Sequence, residues 1–124
     1  YAPVVKEIIS KVGVSNIDGM IHCSGGAQTK VLHFVENKHI IKDNLFNTPI
    51  IFDLIQDESK TSWKEMYQVF NMGHRLEIYT DKLSAQKIID ISASFNLDAK
   101  IIGRVEDSIS NKLSISGDKG NFEY

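Results

Sequence analysis

Gly19-Met20-Ile21-His22-Cys23-Ser24-Gly25-Gly26-Ala27-Gln28-Thr29-Lys30 is the stretch whose reading decides the fold. Ile17 to Cys23 mixes apolar with small residues and reads as a buried strand. Ser24-Gly25-Gly26 breaks it sharply. Val31, Leu32 and Val35 then carry a helical stripe, so a helix is expected from about Ala27 to Glu36. In a strand, glycine turn and helix, the first helical amides have no internal partner and point outward. The helix dipole adds partial positive charge there, and glycines let an anion approach the backbone closely. Ser24 and Thr29 add hydroxyl donors and Lys30 a full charge. The segment reads either as a phosphate cradle or as a plain chain reversal. It is not a Walker A loop or a dinucleotide fingerprint, because neither glycine spacing is present.

Outward from this stretch, Val4, Val5, Ile8, Ile9 and Val12 recur at helical spacing behind Pro3, and Gly13 ends that helix. His39 to Phe46 is extended but weakly patterned. Thr48-Pro49 starts a helix with Ile50, Ile51, Leu54 and Ile55 on one face. Ser62 with Glu65 forms a capping-box signature for a helix from Trp63 to about Phe70, stopped by Asn71-Met72-Gly73. Leu76 and Ile78 alternate with Arg75, Glu77 and Tyr79 as a strand. Asp81 caps a long helix that turns Leu83, Ala85, Ile88, Ile89, Ser92 and Phe95 toward the core. Ala99 to Val105 is a further strand, Leu113-Ser114-Ile115 the last, and Gly117 to Gly120 a loose tail. Helices and strands interleave, so the expected class is α+β, in α/β layers. A mixed β-sheet of about four to five strands is covered by helices.

The 124 residues suffice for one domain with one core. Apolar residues at 42% and charged residues at 24% are ordinary for a globular chain. A net charge of −2 argues against a non-specific nucleic-acid binder, which needs a basic face. One cysteine cannot form an internal disulfide, so a reducing, cytoplasmic compartment is expected. No run approaches the roughly 20 apolar residues of a membrane span, so no membrane association is expected. The chain opens Tyr1-Ala2-Pro3 without methionine, which suggests a domain cut at a linker.

His22, at the strand end, is placed either to donate to a phosphate or to bond within the domain edge. Cys23 is expected to be a core thiol. His33, His39 and His74 are scattered without metal-ligand spacing, so no metal site is expected. Asn71 stands between a helix end and a strand start, where its amide either caps the helix or faces a ligand. Trp63, Met66, Tyr67 and Phe70 fall at helical spacing and read as core. No catalytic residue is singled out.

Three segments together carry a resemblance: Asp18 to Gly26, Glu65 to Gly73 with its Phe70-Asn71-Met72-Gly73, and Ile101-Ile102-Gly103-Arg104-Val105-Glu106. In order and spacing the chain resembles the C-terminal domain of the phosphoribosylformylglycinamidine cyclo-ligases, or AIR synthetases. The resemblance implies an ATP-dependent ring closure that converts formylglycinamidine ribonucleotide to aminoimidazole ribonucleotide in purine biosynthesis. It implies that residues 1–124 are one domain of a two-domain enzyme, which is a homodimer at full length. A separate N-terminal domain, the partner of this one, would hold most of the ATP and magnesium contacts. No cofactor is expected on this chain, which alone would be inactive. By the same resemblance His22, Ser24, Gly25, Gly26, Ala27, Gln28, Thr29, Asn71 and Gly73 face the phosphorylated substrate. Ala27 and Gln28 stand where the family loop commonly has a third glycine, and His74-Arg75 where small or apolar residues are usual. Two alternatives stay open. One is the same domain in formylglycinamidine synthase, selenophosphate synthetase or thiamine-phosphate kinase; the other is a non-catalytic assembly domain.

Overall fold

The computed structural model describes residues 2–24 and 26–124. They form helices α1 (Ala2–Val12), α2 (Ile50–Ser59), α3 (Trp63–Val69) and α4 (Lys82–Ser94). The strands are β1 (Ile17–His22), β2 (Lys38–Lys42), β3 (Leu76–Thr80), β4 (Gly103–Asp107), β5 (Lys112–Gly117) and β6 (Gly120–Glu123). Two 3-10 segments, Val14–Asn16 and Ala27–His33, complete the regular structure. The expected mixed α+β class is what the chain adopts, with a four-stranded sheet in the order β4-β2-β5-β6 and a two-stranded sheet of β1 and β3.

The chain divides into two compact units. The first runs to Met20 and resumes over Glu77–Ile101. Its core joins Val4, Ile8 and Val12 of α1 to Ile88 and Ile91 of α4, with Val5, Ile17, Met20 and Ile78 packed against them. The i, i+4, i+8 spacing of Val4, Ile8 and Val12 puts all three on one helix face, so packing rather than propensity stabilises α1. Asp81 caps α4 by accepting from the Ser84 amide and hydroxyl, each at 2.9 Å. Register corrects one expectation here. Ile88 and Ser92 are buried, but Leu83 is 81% and Phe95 40% exposed, and Ser84 and Ile91 take the inward positions.

The second unit comprises Ile21–Leu76 and Ile102–Tyr124. At its centre β2 pairs antiparallel with β4, from Lys38↔Asp107 to Lys42↔Gly103. On the other side β2 pairs parallel with β5, from His39↔Lys112 to Lys42↔Ile115. Ile40, Leu113 and Ile115 are buried on these strands, as are Met66 and Tyr67 of α3. Ser62 caps α3 by accepting from the Glu65 amide at 3.3 Å, as its capping-box pattern requires.

Four further expectations are corrected in this unit. The helix after the glycine turn is a 3-10 segment that ends at His33. The strand expected from Ala99 begins at Gly103. Residues 117–120 are not a loose tail: Gly117 pairs with Gly120 around Asp118-Lys119, and β6 returns antiparallel to β5. The loop is tied down, because Asp118 accepts from the Thr48 hydroxyl at 2.9 Å. Finally, α2 forms where Thr48-Pro49 announces it, but none of its residues is buried. Ile50 is 77% exposed, Ile51 53% and Leu54 59%. Periodicity defines an apolar face; it does not say that the domain covers it.

Candidate functional site

All the described candidate residues lie in the second unit. β1 ends by presenting His22 to solvent, while the next residue, Cys23, is buried as expected of a core thiol. The Cys23 amide donates to Arg75 O at 2.8 Å, which ties the start of the glycine turn to the approach of β3. Two bonds then close the turn: Ser24 N–H to His22 O and Ala27 N–H to Ser24 O, both 2.9 Å. Gly26 takes the left-handed conformation at φ 85°. A side chain at that φ is strained, so glycine suits the position. Gly25 lies outside the described residues.

The turn has an exposed rim and a buried floor. His22, Ser24 and Gly26 are exposed, whereas Ala27 and Gln28 are 1% and 0% exposed. Lys30 folds back along the rim. Its Nζ donates to His22 O at 3.1 Å and to Ser24 Oγ at 3.2 Å. Thr29 closes the first 3-10 turn, with its amide donating to Gly26 O at 3.0 Å and its hydroxyl at 2.9 Å. The rim therefore carries an ammonium, a hydroxyl and an imidazole, a donor set suited to an anionic oxygen. The amides of Ala27 and Thr29 are spent inside the turn.

The second candidate segment is a tight turn of its own. Asn71 Oδ1 accepts from Gly73 N–H at 2.8 Å, and Asn71 O accepts from His74 N–H at 3.0 Å. Gly73 sits at φ 98°, and a β-carbon there would lie 2.9 Å from both Cδ and Cγ of Pro49. Only glycine meets both conditions. His74 is 5% exposed, accepts from the Phe46 amide at 3.3 Å through Nε2, and packs edge-on against the Phe46 ring at 5.3 Å.

One hydrogen bond brings the two segments together: Gln28 Nε2 donates to Asn71 O at 2.7 Å. Gln28 is held from its other side by Lys42, whose Nζ donates to Gln28 O at 2.9 Å and to Gln28 Oε1 at 2.8 Å. Sequence reasoning did not single out Lys42, yet a signal was present. In β2 the period of two puts Lys42 on the face of the buried Ile40, and an inward lysine on a central strand needs a polar partner. Among the described residues no group of three or more His, Cys, Asp or Glu could hold a metal ion, and no helix is long and apolar enough to cross a membrane.

No family model matches the chain. It is similar to curated proteins named phosphoribosylformylglycinamidine cyclo-ligase. It is 32% identical over 105 residues to the one from Methanococcus vannielii, covering 85% of this chain and 30% of the relative. It is 32% identical over 119 residues to the one from Methanocaldococcus jannaschii, covering 96% of this chain and 33% of the relative. To the one from Staphylococcus carnosus it is 34% identical over 74 residues, 60% of this chain and 21% of the relative. The chain thus spans about a third of the length of the curated relatives it matches.

Proposed function

The chain belongs to the phosphoribosylformylglycinamidine cyclo-ligase family, and from that premise we propose that it is the C-terminal domain of a two-domain, cytoplasmic, homodimeric enzyme of purine biosynthesis. That enzyme uses ATP to close formylglycinamidine ribonucleotide to aminoimidazole ribonucleotide. The formyl oxygen is phosphorylated, an amidine nitrogen displaces phosphate, and ADP is released. This domain faces the ribonucleotide, and its rim binds the substrate's phosphate.

The observation that carries the reading is the junction of the two motif segments. Gln28 Nε2 meets Asn71 O at 2.7 Å, and the neighbouring His22, Ser24 and Gly26 are exposed while Gln28 is buried. Lys30 supplies the positive charge, and its bonds to His22 O and Ser24 Oγ hold it over the turn. His22 and Ser24 donate to the remaining phosphate oxygens. Ala27, Gln28, Thr29, Asn71 and Gly73 shape the turns that present them. Catalysis of phosphoryl transfer rests on positioning and charge stabilisation, which is what such a rim contributes. The described residues do not fit a magnesium site of their own. In this reading the ATP and magnesium contacts fall to the N-terminal domain, and this chain alone does not turn over.

Calorimetric titration of the full-length enzyme with formylglycinamidine ribonucleotide tests the reading. Lys30→Met should weaken binding about tenfold, in the range of a lost charge-assisted contact. Affinity unchanged by Lys30→Met, with wild-type protein binding the substrate, would remove the phosphate role from this rim.

A further inference from the structure

A carboxamide has two ends of nearly equal shape, one accepting and one donating, and its neighbours decide which way it points. Gln28 has a donor on one side and an acceptor on the other. Lys42 Nζ donates to its Oε1 at 2.8 Å, and Asn71 O accepts from its Nε2 at 2.7 Å. Lys42 also donates to the Gln28 main-chain carbonyl at 2.9 Å, so one amine grips both the backbone and the side chain of the same residue. Lys42 is 2% exposed and Gln28 0%. Strand register holds the lysine from two sides, with Lys42 opposite Gly103 of β4 and Ile115 of β5.

Burying a lysine amine costs free energy that its hydrogen bonds only offset, and apolar residues of similar volume often serve stability as well. Orientation is what an apolar residue could not supply. We propose that Lys42 is a positioning residue for the substrate-facing rim. By orienting Gln28, it locks the 26–30 turn to the 71–73 turn, an inference that rests on the phosphate-binding reading above. The buried floor is thereby set by a strand in the middle of the sheet, and the rim inherits that rigidity.

The test uses the full-length enzyme with formylglycinamidine ribonucleotide and ATP. Lys42→Met keeps the stem and removes the donor. Gln28→Glu keeps an acceptor for Lys42 and removes the Nε2 donor toward Asn71 O. Each should raise KM for the ribonucleotide about tenfold while kcat at saturation stays within about threefold, the signature of a misplaced binding element. Amide exchange over residues 26–29 and 71–73 should quicken in both variants. A lower unfolding midpoint with KM and exchange unmoved would overturn the proposal, since that is all a purely structural lysine predicts. Should Lys42→Met fail to fold, Gln28→Glu decides by the same readouts. If wild-type enzyme closes no ring, the functional reading falls, while exchange in the same protein still decides whether Lys42 couples the two turns.

Discussion

Gly73 and Pro49 approach so closely that a β-carbon on Gly73 would stand 2.9 Å from two atoms of the proline ring. The glycine also sits at φ 98°, so two penalties coincide at one position. Gly73→Ala should destabilise the protein by about 3 kcal/mol, combining left-handed strain with overpacking. Denaturant titration measures it. Pro49→Ala in the same background should recover only the steric part, so a double-mutant cycle should give a clear coupling energy. Additive effects would mean that the contact is not the cause.

Gly26 separates strain from function. A β-carbon there would meet Lys30 Cβ at 3.5 Å, an ordinary contact, so the cost of substitution comes from φ rather than space. Gly26→Val in the full-length enzyme should cost about 2 kcal/mol of stability but about a thousandfold in kcat/KM, about 4 kcal/mol, because the rim is displaced. Equal losses, once expressed as free energies, would favour a turn that serves chain reversal alone.

The exposed face of α2 makes a prediction opposite to the one its periodicity suggests. Ile50→Lys should change stability by no more than about 0.5 kcal/mol, as expected at an exposed site, because Ile50 is 77% exposed. A loss of several kcal/mol by urea unfolding would mean that this face is covered.

Alkaline pH should destabilise the second unit through its tyrosines. Burial pushes the Tyr124 phenol up to about 12 and raises Tyr67 as well. A group whose folded value lies above its unfolded value of about 10 keeps its proton longer in the folded state. Its contribution is therefore full below pH about 10 and is lost as pH climbs toward 12. Tyr124 also donates to Lys64 O at 2.5 Å, an interaction that phenylalanine lacks. Tyr124→Phe should lower the unfolding midpoint at pH 7 and flatten its decline in the alkaline range. A decline as steep as that of the wild type would assign it elsewhere.

Asp81 gives the acid-side counterpart. Hydrogen bonds from the Ser84 amide and hydroxyl hold its carboxyl below the usual carboxylate range. A depressed folded value means that the cap's contribution is present above pH about 4 and is lost as pH falls through the folded value. Asp81→Asn should keep most of the cap at neutral pH and weaken the acid dependence. Circular dichroism melts between pH 2 and 6 would show it.

Local chemistry was legible wherever the cause was local. Ser62 with Glu65, Asp81 before α4, and the spacing of Val4, Ile8 and Val12 each act within a few residues, and each forms the structure its pattern implies. The candidate rim was legible for the same reason, since glycines, hydroxyls and a basic residue cluster within one turn. Leu83 is exposed and no residue of α2 is buried despite their apolar patterns, because periodicity reports which side chains share a face, not what lies opposite. The closing hairpin was missed because Gly117 to Gly120 reads as loose until β5 and β6 pair on either side of it.

The residue order by itself determined the helix caps, the glycine turn, most strand cores and the mixed α+β class, because those follow from neighbours along the chain. Tertiary structure alone decided that β2 lies parallel to β5, that Lys42 is buried against Gln28, and that Gln28 reaches Asn71. Gln28 and Asn71 stand 43 positions apart. Hydrogen-bond partners at that distance are selected by packing and strand register, which no local period encodes.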